Sequence, residues 1–412
     1  MAEPPEYEIT VDKFIYGGEV MGRLPDGRAV FVPFALPGET ILTRLVEEKR
    51  GFARGEFLEV LTESPQRVSP RCKHFMVCGG CHYQHIPYPV QVEAKAEILL
   101  DQLTRIGKLD HLPIQPTIPA PNPWNYRNHI QFHLDEEGRL GFQAARSHQI
   151  VPIDECHLPE ESVNLLWPQL EFEPIPDLSR IGLRVGADEE IMLVLESDTD
   201  EAFDFNVDIP ITAVQIGPEQ THILSDRFYL EMAVLDRIFR VSGGSFFQVN
   251  TQMAAAMVEH LLAHLSLTPE ATVLDIYCGV GLFSAFIAPK VGRLIGVEVS
   301  PSAVDDFAVN LDEFNHVAIY QAAAEEVLTG LDVQPDVILV DPPRIGLGRE
   351  VLDAVLHLNP SVLAYVSCDP ATLARDAKRL TTGGYTLKQI TPFDLFPQTY
   401  HIESISFWER AL

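Results

Sequence analysis

The sequence is poor in positive charge. Its 412 residues carry 30 Lys and Arg against 59 Asp and Glu, a formal net charge of −29. So acidic a chain has no unspecific grip on a polyanion, and a nucleic acid would have to be met on a restricted surface. Long apolar runs are missing as well. None reaches the roughly 18 residues of a membrane span, so no membrane helix is expected. The segment Met1-Ala-Glu-Pro-Pro-Glu6 lacks the basic and apolar stretches of a signal peptide, which makes the cytoplasm the expected compartment. Cysteine is scarce, six in all, and no internal repeat or low-complexity tract is evident. What remains, 46% hydrophobic and 22% charged, is an ordinary globular composition, long enough for about three domains.

The charge is unevenly spread. Residues 154–236 hold 3 Arg/Lys against 20 Asp/Glu, a net of −17, whereas residues 1–73 hold 10 against 12, a net of −2. The N-terminal region can therefore approach RNA, and the 154–236 surface cannot.

Residues 9–62 alternate short apolar runs with turn signals (Tyr16-Gly-Gly, Leu24-Pro-Asp-Gly27, Leu36-Pro-Gly38, Lys49-Arg-Gly51). That rhythm predicts a small β-barrel. The stretch from Ile15-Tyr-Gly-Gly through Ala35-Leu-Pro-Gly-Glu39 resembles the TRAM domain, an OB-like RNA-binding barrel, and residues 1–62 are read as that domain. Arg23, Arg28, Arg44, Lys49, Arg50 and Arg54, with Tyr16, Phe31 and Phe52, would supply a phosphate-contacting and stacking face.

Next, Cys72, Cys78 and Cys81 stand at C-x5-C-x2-C spacing, with Cys156 far downstream. Clustered cysteines in a cytosolic chain point to metal more than to disulfides. Four thiolates suit zinc or an iron–sulfur cluster alike, and His74, His82, His85 and His157 leave a mixed Cys/His zinc site open. A helix is expected over 90–106, and strands over 130–134, 140–143, 181–185, 191–196 and 213–216. Residues 63–240 thus form a β-rich central domain carrying the metal, whose helix 90–106 is free to pack on the domain that follows.

Residues 241–412 alternate strand and helix, the pattern of a parallel sheet with crossover helices. The stretch Thr272-Val-Leu-Asp-Ile-Tyr-Cys-Gly-Val-Gly-Leu-Phe-Ser284 reads as buried strand, tight turn and helix start. A Gly-x-Gly turn can serve sheet packing alone. Here a second strand ends on an acid, Glu298, about 20 residues past the turn, where doubly wound sheets hold a ribose diol. Two glycines in place of three favour an adenosine ligand without a pyrophosphate, and this resembles the S-adenosylmethionine site of class I methyltransferases. Asp341, in Asp341-Pro-Pro-Arg344, and Cys368, in Ser367-Cys-Asp-Pro370, each follow a predicted strand. The helix expected after Cys368 would favour its thiolate.

A methyl donor beside a nucleophilic Cys answers a particular problem. Carbon 5 of uracil is a poor nucleophile until a thiolate adds to carbon 6, and a base must later take the carbon 5 proton. Glu403 in Tyr400-His-Ile-Glu-Ser404 is the expected base, with His401 second. Phe246-Phe-Gln-Val-Asn250, Asp275-Ile-Tyr-Cys-Gly-Val-Gly281, Asp341-Pro-Pro-Arg344, Ser367-Cys-Asp-Pro370 and His401-Ile-Glu403 together resemble the successive motifs of the RNA uracil-5-methyltransferases. The TRAM stretch and the four cysteines extend that likeness to the bacterial 23S rRNA branch.

The resemblance implies Cys368 as nucleophile and Glu403 as base. It implies Gln248, Tyr277, Gly279, Leu282, Glu298 and Asp341 around S-adenosylmethionine, and a 4Fe–4S cluster on Cys72, Cys78, Cys81 and Cys156. It implies a cytoplasmic, monomeric enzyme that acts on RNA and not on DNA. Leu282 and Ala323-Ala324 stand where many members carry Asn. A tRNA substrate, an amino-group methyltransferase using the Asp-Pro-Pro loop, and a non-catalytic Fe–S RNA-binding protein are the competing readings.

Overall fold

The computed structural model describes residues 5–204 and 211–410. The outer ends of the first and last expected domains, and residues 205–210 of the central one, lie outside them. Five strands come first: β1 (Glu6–Ile15), β2 (Glu19–Arg23), β3 (Ala29–Pro33), β4 (Thr40–Glu48) and β5 (Phe52–Thr62). They close in the order β1-β2-β3-β5-β4, which leaves no unpaired edge. Alternate side chains (Ile9, Val11, Val30, Val32, Ile41) fill the interior, as the two-residue period of a strand demands.

Helix α1 (Tyr88–Arg105) follows the cysteine loop. Its Leu99 and Leu103 share a core with Leu373, Ala374 and Ala377 near the other end of the chain. The central sheet is built from β6 (His129–Leu134), β7 (Leu140–Gln143), β8 (Ile150–Pro152), β9 (Leu178–Val185), β10 (Ile191–Ser197), β11 (Thr212–Ile216) and β12 (Thr221–Ile223), with α2 (Glu161–Leu166) packed against it. Its order is β12-β11-β10-β9-β6-β7-β8.

A hairpin, β13 (Tyr229–Val234) and β14 (Arg237–Ser242), precedes α3 (Thr251–His264). Its inner residues Met232, Val234, Phe239 and Val241 belong to the core that also holds Met253, Met257 and Phe286. The hairpin thus packs with the catalytic domain although it precedes residue 241. That domain continues through β15 (Thr272–Ile276), α4 (Leu282–Ile287), β16 (Arg293–Glu298), α5 (Pro301–Asn310), β17 (Val317–Gln321) and α6 (Ala324–Leu328). It ends with β18 (Val337–Val340), α7 (Arg349–Leu358), β19 (Val362–Ser367), α8 (Pro370–Thr382), β20 (Tyr385–Phe393) and β21 (Glu403–Arg410).

The sheet runs β17-β16-β15-β18-β19-β21-β20, with β21 antiparallel to both neighbours. This is the class I methyltransferase arrangement, preceded by a closed barrel and a β-rich middle. The edge strand β20 is covered by the Pro-rich segment, where Ile114 bridges Ile390 and Ile118 bridges Phe393. Among the described residues no helix is long and apolar enough to cross a membrane.

Candidate active site

Strand order decides what meets. β18, β19 and β21 are neighbours, and Asp341, Cys368 and Glu403 stand at their adjoining ends. Ser367 is paired with Ser404 across the β19–β21 ladder. The next residue of β19 outward is Cys368, and the next on β21 is Glu403. A thiol and a carboxyl 35 positions apart are thereby set side by side at the rim where open sheets bind ligands.

Burial controls their protonation. The Cys368 thiol is pushed up to about 12, first by desolvation, then by the charges of Glu403 and Asp341, against which Arg344 acts. The helix start expected to favour a thiolate is outweighed by desolvation, and its N-cap is itself an acid, Asp369, accepting from Ala371 and Thr372 N–H at 2.9 Å. Glu403 is raised well above the ordinary carboxylate range by desolvation and then by Asp341, and its Oε2 is buried without a partner. Asp341 is pushed up to about 7 by burial. His401 falls to about 3 by burial and then by nearby cations including Arg344, so it is a weak proton acceptor. Arg344, the cation that opposes the shifts of Cys368 and Glu403, was legible only as the last letter of a motif.

The loop that leads into β21 is held from outside its own domain. Lys95 Nζ of α1 meets Asp394 Oδ1 at 2.5 Å and Phe396 O at 3.0 Å. Gln91 and Gln398 exchange two hydrogen bonds at 3.0 Å. His82 and Tyr83 of the cysteine loop donate backbone N–H to Gln398 O at 2.9 and 3.0 Å.

At the other side of the rim, the glycine turn holds its shape through close packing. A Cβ on Gly281, at φ 90°, would stand 2.5 Å from Leu311 Cδ1. Glu298 accepts from the N–H groups of Gly279 (3.0 Å), Val299 and Ser300 (both 2.8 Å), so this acid latches the turn. Tyr277 and Glu298 line a cavity of about 440 Å³ with Ala323, Ala324 and Glu325. Glu325, just past β17, is a polar group that sequence reasoning missed. Gln248, Gly279, Leu282 and Asp341 are not among that cavity's lining residues. The Leu282 side chain lies in the apolar core, which leaves only its backbone for a ligand. Gln248 sits in a segment braced by buried Asp306, which accepts from Ser242 N and Oγ at 2.7 Å and from Ser245 Oγ at 2.6 Å. The cavity, its acid and its aromatic side chain fit a nucleoside-sized cofactor.

Cys72, Cys78, Cys81 and Cys156 line one further cavity of about 240 Å³, with Phe75, Ile130 and Phe142 among its walls. Burial pushes Cys81 and Cys156 up to about 12, and only a strongly cationic group makes such thiols worth ionising. Among the described residues no three His, Cys, Asp or Glu converge as a single-ion site. Of the four histidines, His74 is engaged with Asp154 at 2.8 Å and His82 packs on Tyr400. The four thiols thus share the lining of one cavity without converging on a single point.

The barrel surface differs from the sequence expectation. Arg28 pairs with Asp26 and Glu48 (2.7 and 2.9 Å), Lys49 with Glu47 (3.2 Å), and Arg54 with Glu19 and Glu47. Tyr16 points into the catalytic domain rather than outward.

A class I sheet with an acid after the glycine turn and a nucleoside-sized cavity at its rim defines an S-adenosylmethionine-dependent methyltransferase. The profile of the tRNA (Uracil-5-)-methyltransferase family matches residues 219–411, and that of the TRAM domain matches residues 5–58. The RNA methyltransferase of Halalkalibacterium halodurans, itself uncharacterized, is 35% identical over 98% of this chain and 96% of its own length. That of Aquifex aeolicus, also uncharacterized, is 34% identical over 98% of both. The chain belongs to the RNA uracil-5-methyltransferase family. A solved structure, the Pyrococcus abyssi tRNA (uracil-54, C5)-methyltransferase in complex with S-adenosyl-L-homocysteine, shares the fold with a TM-score of 0.72. It is 24% identical and covers 98% of this chain and 100% of its own.

Proposed function

We propose that the enzyme methylates carbon 5 of a uridine in 23S rRNA through a covalent adduct between Cys368 and carbon 6. The observation that carries this reading is the placement of Cys368 and Glu403 at adjoining strand ends beside Asp341. Cys368 gives up its proton to water as its sulfur bonds to carbon 6, and the displaced π pair makes carbon 5 enolate-like. S-adenosylmethionine supplies the electrophilic methyl that carbon 5 accepts. Glu403, as carboxylate, then takes the carbon 5 proton. The C–H pair restores the C5–C6 double bond and expels the thiolate. Burial makes Glu403 a stronger proton acceptor once ionised, which is what that last step needs.

Gln248, Tyr277, Gly279, Glu298, Asp341 and the Leu282 backbone are proposed to hold the cofactor. A 4Fe–4S cluster on Cys72, Cys78, Cys81 and Cys156 is proposed as a structural brace, because the loop beside it donates to Gln398 in the segment before Glu403. The preference for rRNA over tRNA rests on the likeness of the four cysteines and the barrel together to the bacterial 23S rRNA branch, and the enzyme acts as a cytoplasmic monomer in this reading.

The test separates the two roles. Cys368→Ala abolishes methylation and RNA capture together. Glu403→Gln permits addition and methyl transfer, then stalls, and a methylated covalent RNA complex accumulates as a shifted band in denaturing gels. Turnover by Cys368→Ala would overturn the mechanism in favour of an amino-group methyltransferase. Label entering tRNA transcripts instead of 23S transcripts would overturn the substrate.

A further inference from the structure

The turn between β1 and β2 of the barrel is wedged into the catalytic domain. The Tyr16 hydroxyl donates to Asp369 Oδ2 at 2.8 Å, across 353 positions of sequence. Its ring meets Tyr400 edge-on, with centroids 5.7 Å apart. Gly18, at φ 81°, comes so close that an added Cβ would stand 3.0 Å from Tyr400 Cδ1 and 3.1 Å from His82 Cδ2. One turn of the N-terminal domain thus touches both the loop that presents Cys368 and the segment that leads to Glu403.

Asp369 is the hinge of this contact. Its Oδ1 caps α8 through Ala371 and Thr372 N–H, and its Oδ2 takes the Tyr16 hydroxyl. A carboxylate engaged at both oxygens has a fixed plane, and its backbone is bonded directly to that of Cys368. Displacing a reacting atom by about 1 Å can cost on the order of a hundredfold in rate.

We propose that Tyr16 is a positioning residue for methyl transfer. Through Asp369 it fixes the loop that presents Cys368, so the RNA-binding barrel completes the catalytic site as well as meeting RNA. This rests on the reading of Cys368 as nucleophile. The hydrogen bond is charge-assisted, which places it among the stronger ones a side chain can make. The phenol is held protonated by burial and then by the Asp369 charge, so it remains a donor across the working range.

Tyr16→Phe removes one hydroxyl and keeps the ring against Tyr400. With full-length protein and RNA containing 5-fluorouridine, which cannot yield a carbon 5 proton, the covalent band should form about tenfold more slowly or worse under single-turnover conditions. KM for RNA and for S-adenosylmethionine, and the thermal midpoint, should stay near those of the wild type. Adding Tyr16→Phe to Asp369→Ala should cost little beyond Asp369→Ala alone, because the carboxylate that takes the hydroxyl is already gone. An unchanged rate of adduct formation would overturn the proposal. So would a loss carried by the KM for RNA, which would make the turn an RNA contact only, or effects of the two substitutions that multiply fully. Covalent capture by Cys368→Ala would instead refute the nucleophile, whatever Tyr16→Phe does.

Discussion

Lys95→Met tests whether the catalytic rim is held by a helix from another part of the chain. Lys95 and Asp394 are both fully buried, with the ammonium 2.5 Å from Asp394 Oδ1. Methionine keeps the length of the aliphatic stem and deletes the charge. Asp394 then remains inside without its cation, and breaking a buried pair in this way costs about 3–5 kcal/mol. In a domain of this size that lowers the thermal midpoint by about 6–20 °C. Phe396 O loses a donor as well, so the segment leading to Glu403 loosens and kcat falls with it. The assay is a thermal melt of the full chain followed by calorimetry, beside kcat and KM. Combining Lys95→Met with Asp394→Leu should recover most of the stability, because a buried pair replaced by apolar groups is often near neutral. A shift below about 2 °C for the single variant, or a double variant as unstable as the single, would refute the reasoning.

Asp341, pushed up to about 7 by burial, should bind the cationic cofactor better once ionised. Affinity for S-adenosylmethionine should then tighten about tenfold per pH unit below 7 and level off above it, and Asp341→Asn should flatten that curve in equilibrium dialysis. Without ligand the sign reverses. A carboxyl with a raised folded value stabilises the chain at low pH, and that contribution is lost as pH rises through about 7. The cysteine cavity predicts brown protein with iron and sulfide in cluster stoichiometry after anaerobic purification, and its loss in Cys156→Ser. Stoichiometric zinc without iron from iron-replete cells would refute this. Cys156→Ser should also destabilise the central domain, because the exposed Lys73–Asp154 pair is too weak to tie these loops together by itself.

Much of the architecture was legible because it is written in local period. Strands β15, β16, β18 and β19 are apolar runs leading to Tyr277, Glu298, Asp341 and Cys368, and α7 and α8 carry the helical repeat that buries Val351, Val355, Leu373 and Ala377. The β13–β14 hairpin was not legible as part of the catalytic unit, since its alternation records only that one face is covered and not by what. The short helix α6 escaped because five residues give too little periodicity. In the candidate site, the position of Cys368 was readable from a strand end and that of Glu403 from its motif. Their protonation was not, because desolvation depends on neighbours brought in by strand order. Tyr16 was misplaced for the same reason: composition shows that it can stack on a base, but not that Asp369 and Tyr400 already engage it, nor that Arg28, Lys49 and Arg54 share the surface with Glu48, Glu47 and Glu19.

The contacts that join the barrel turn and α1 to the last strands have a consequence for how the molecule comes into being. Synthesis proceeds from the N-terminus, and domains tend to fold as units in that order. The barrel and α1 are therefore made long before their partners, with separations of 353 positions for Tyr16–Asp369, 299 for Lys95–Asp394 and 307 for Gln91–Gln398. Contacts of such span close late, after the entropy of a long loop has been spent. Nascent chains thus carry an RNA-binding module before the reaction centre is assembled, and an enzyme whose substrate is RNA acquires its reactivity only once its last strands have docked on the first.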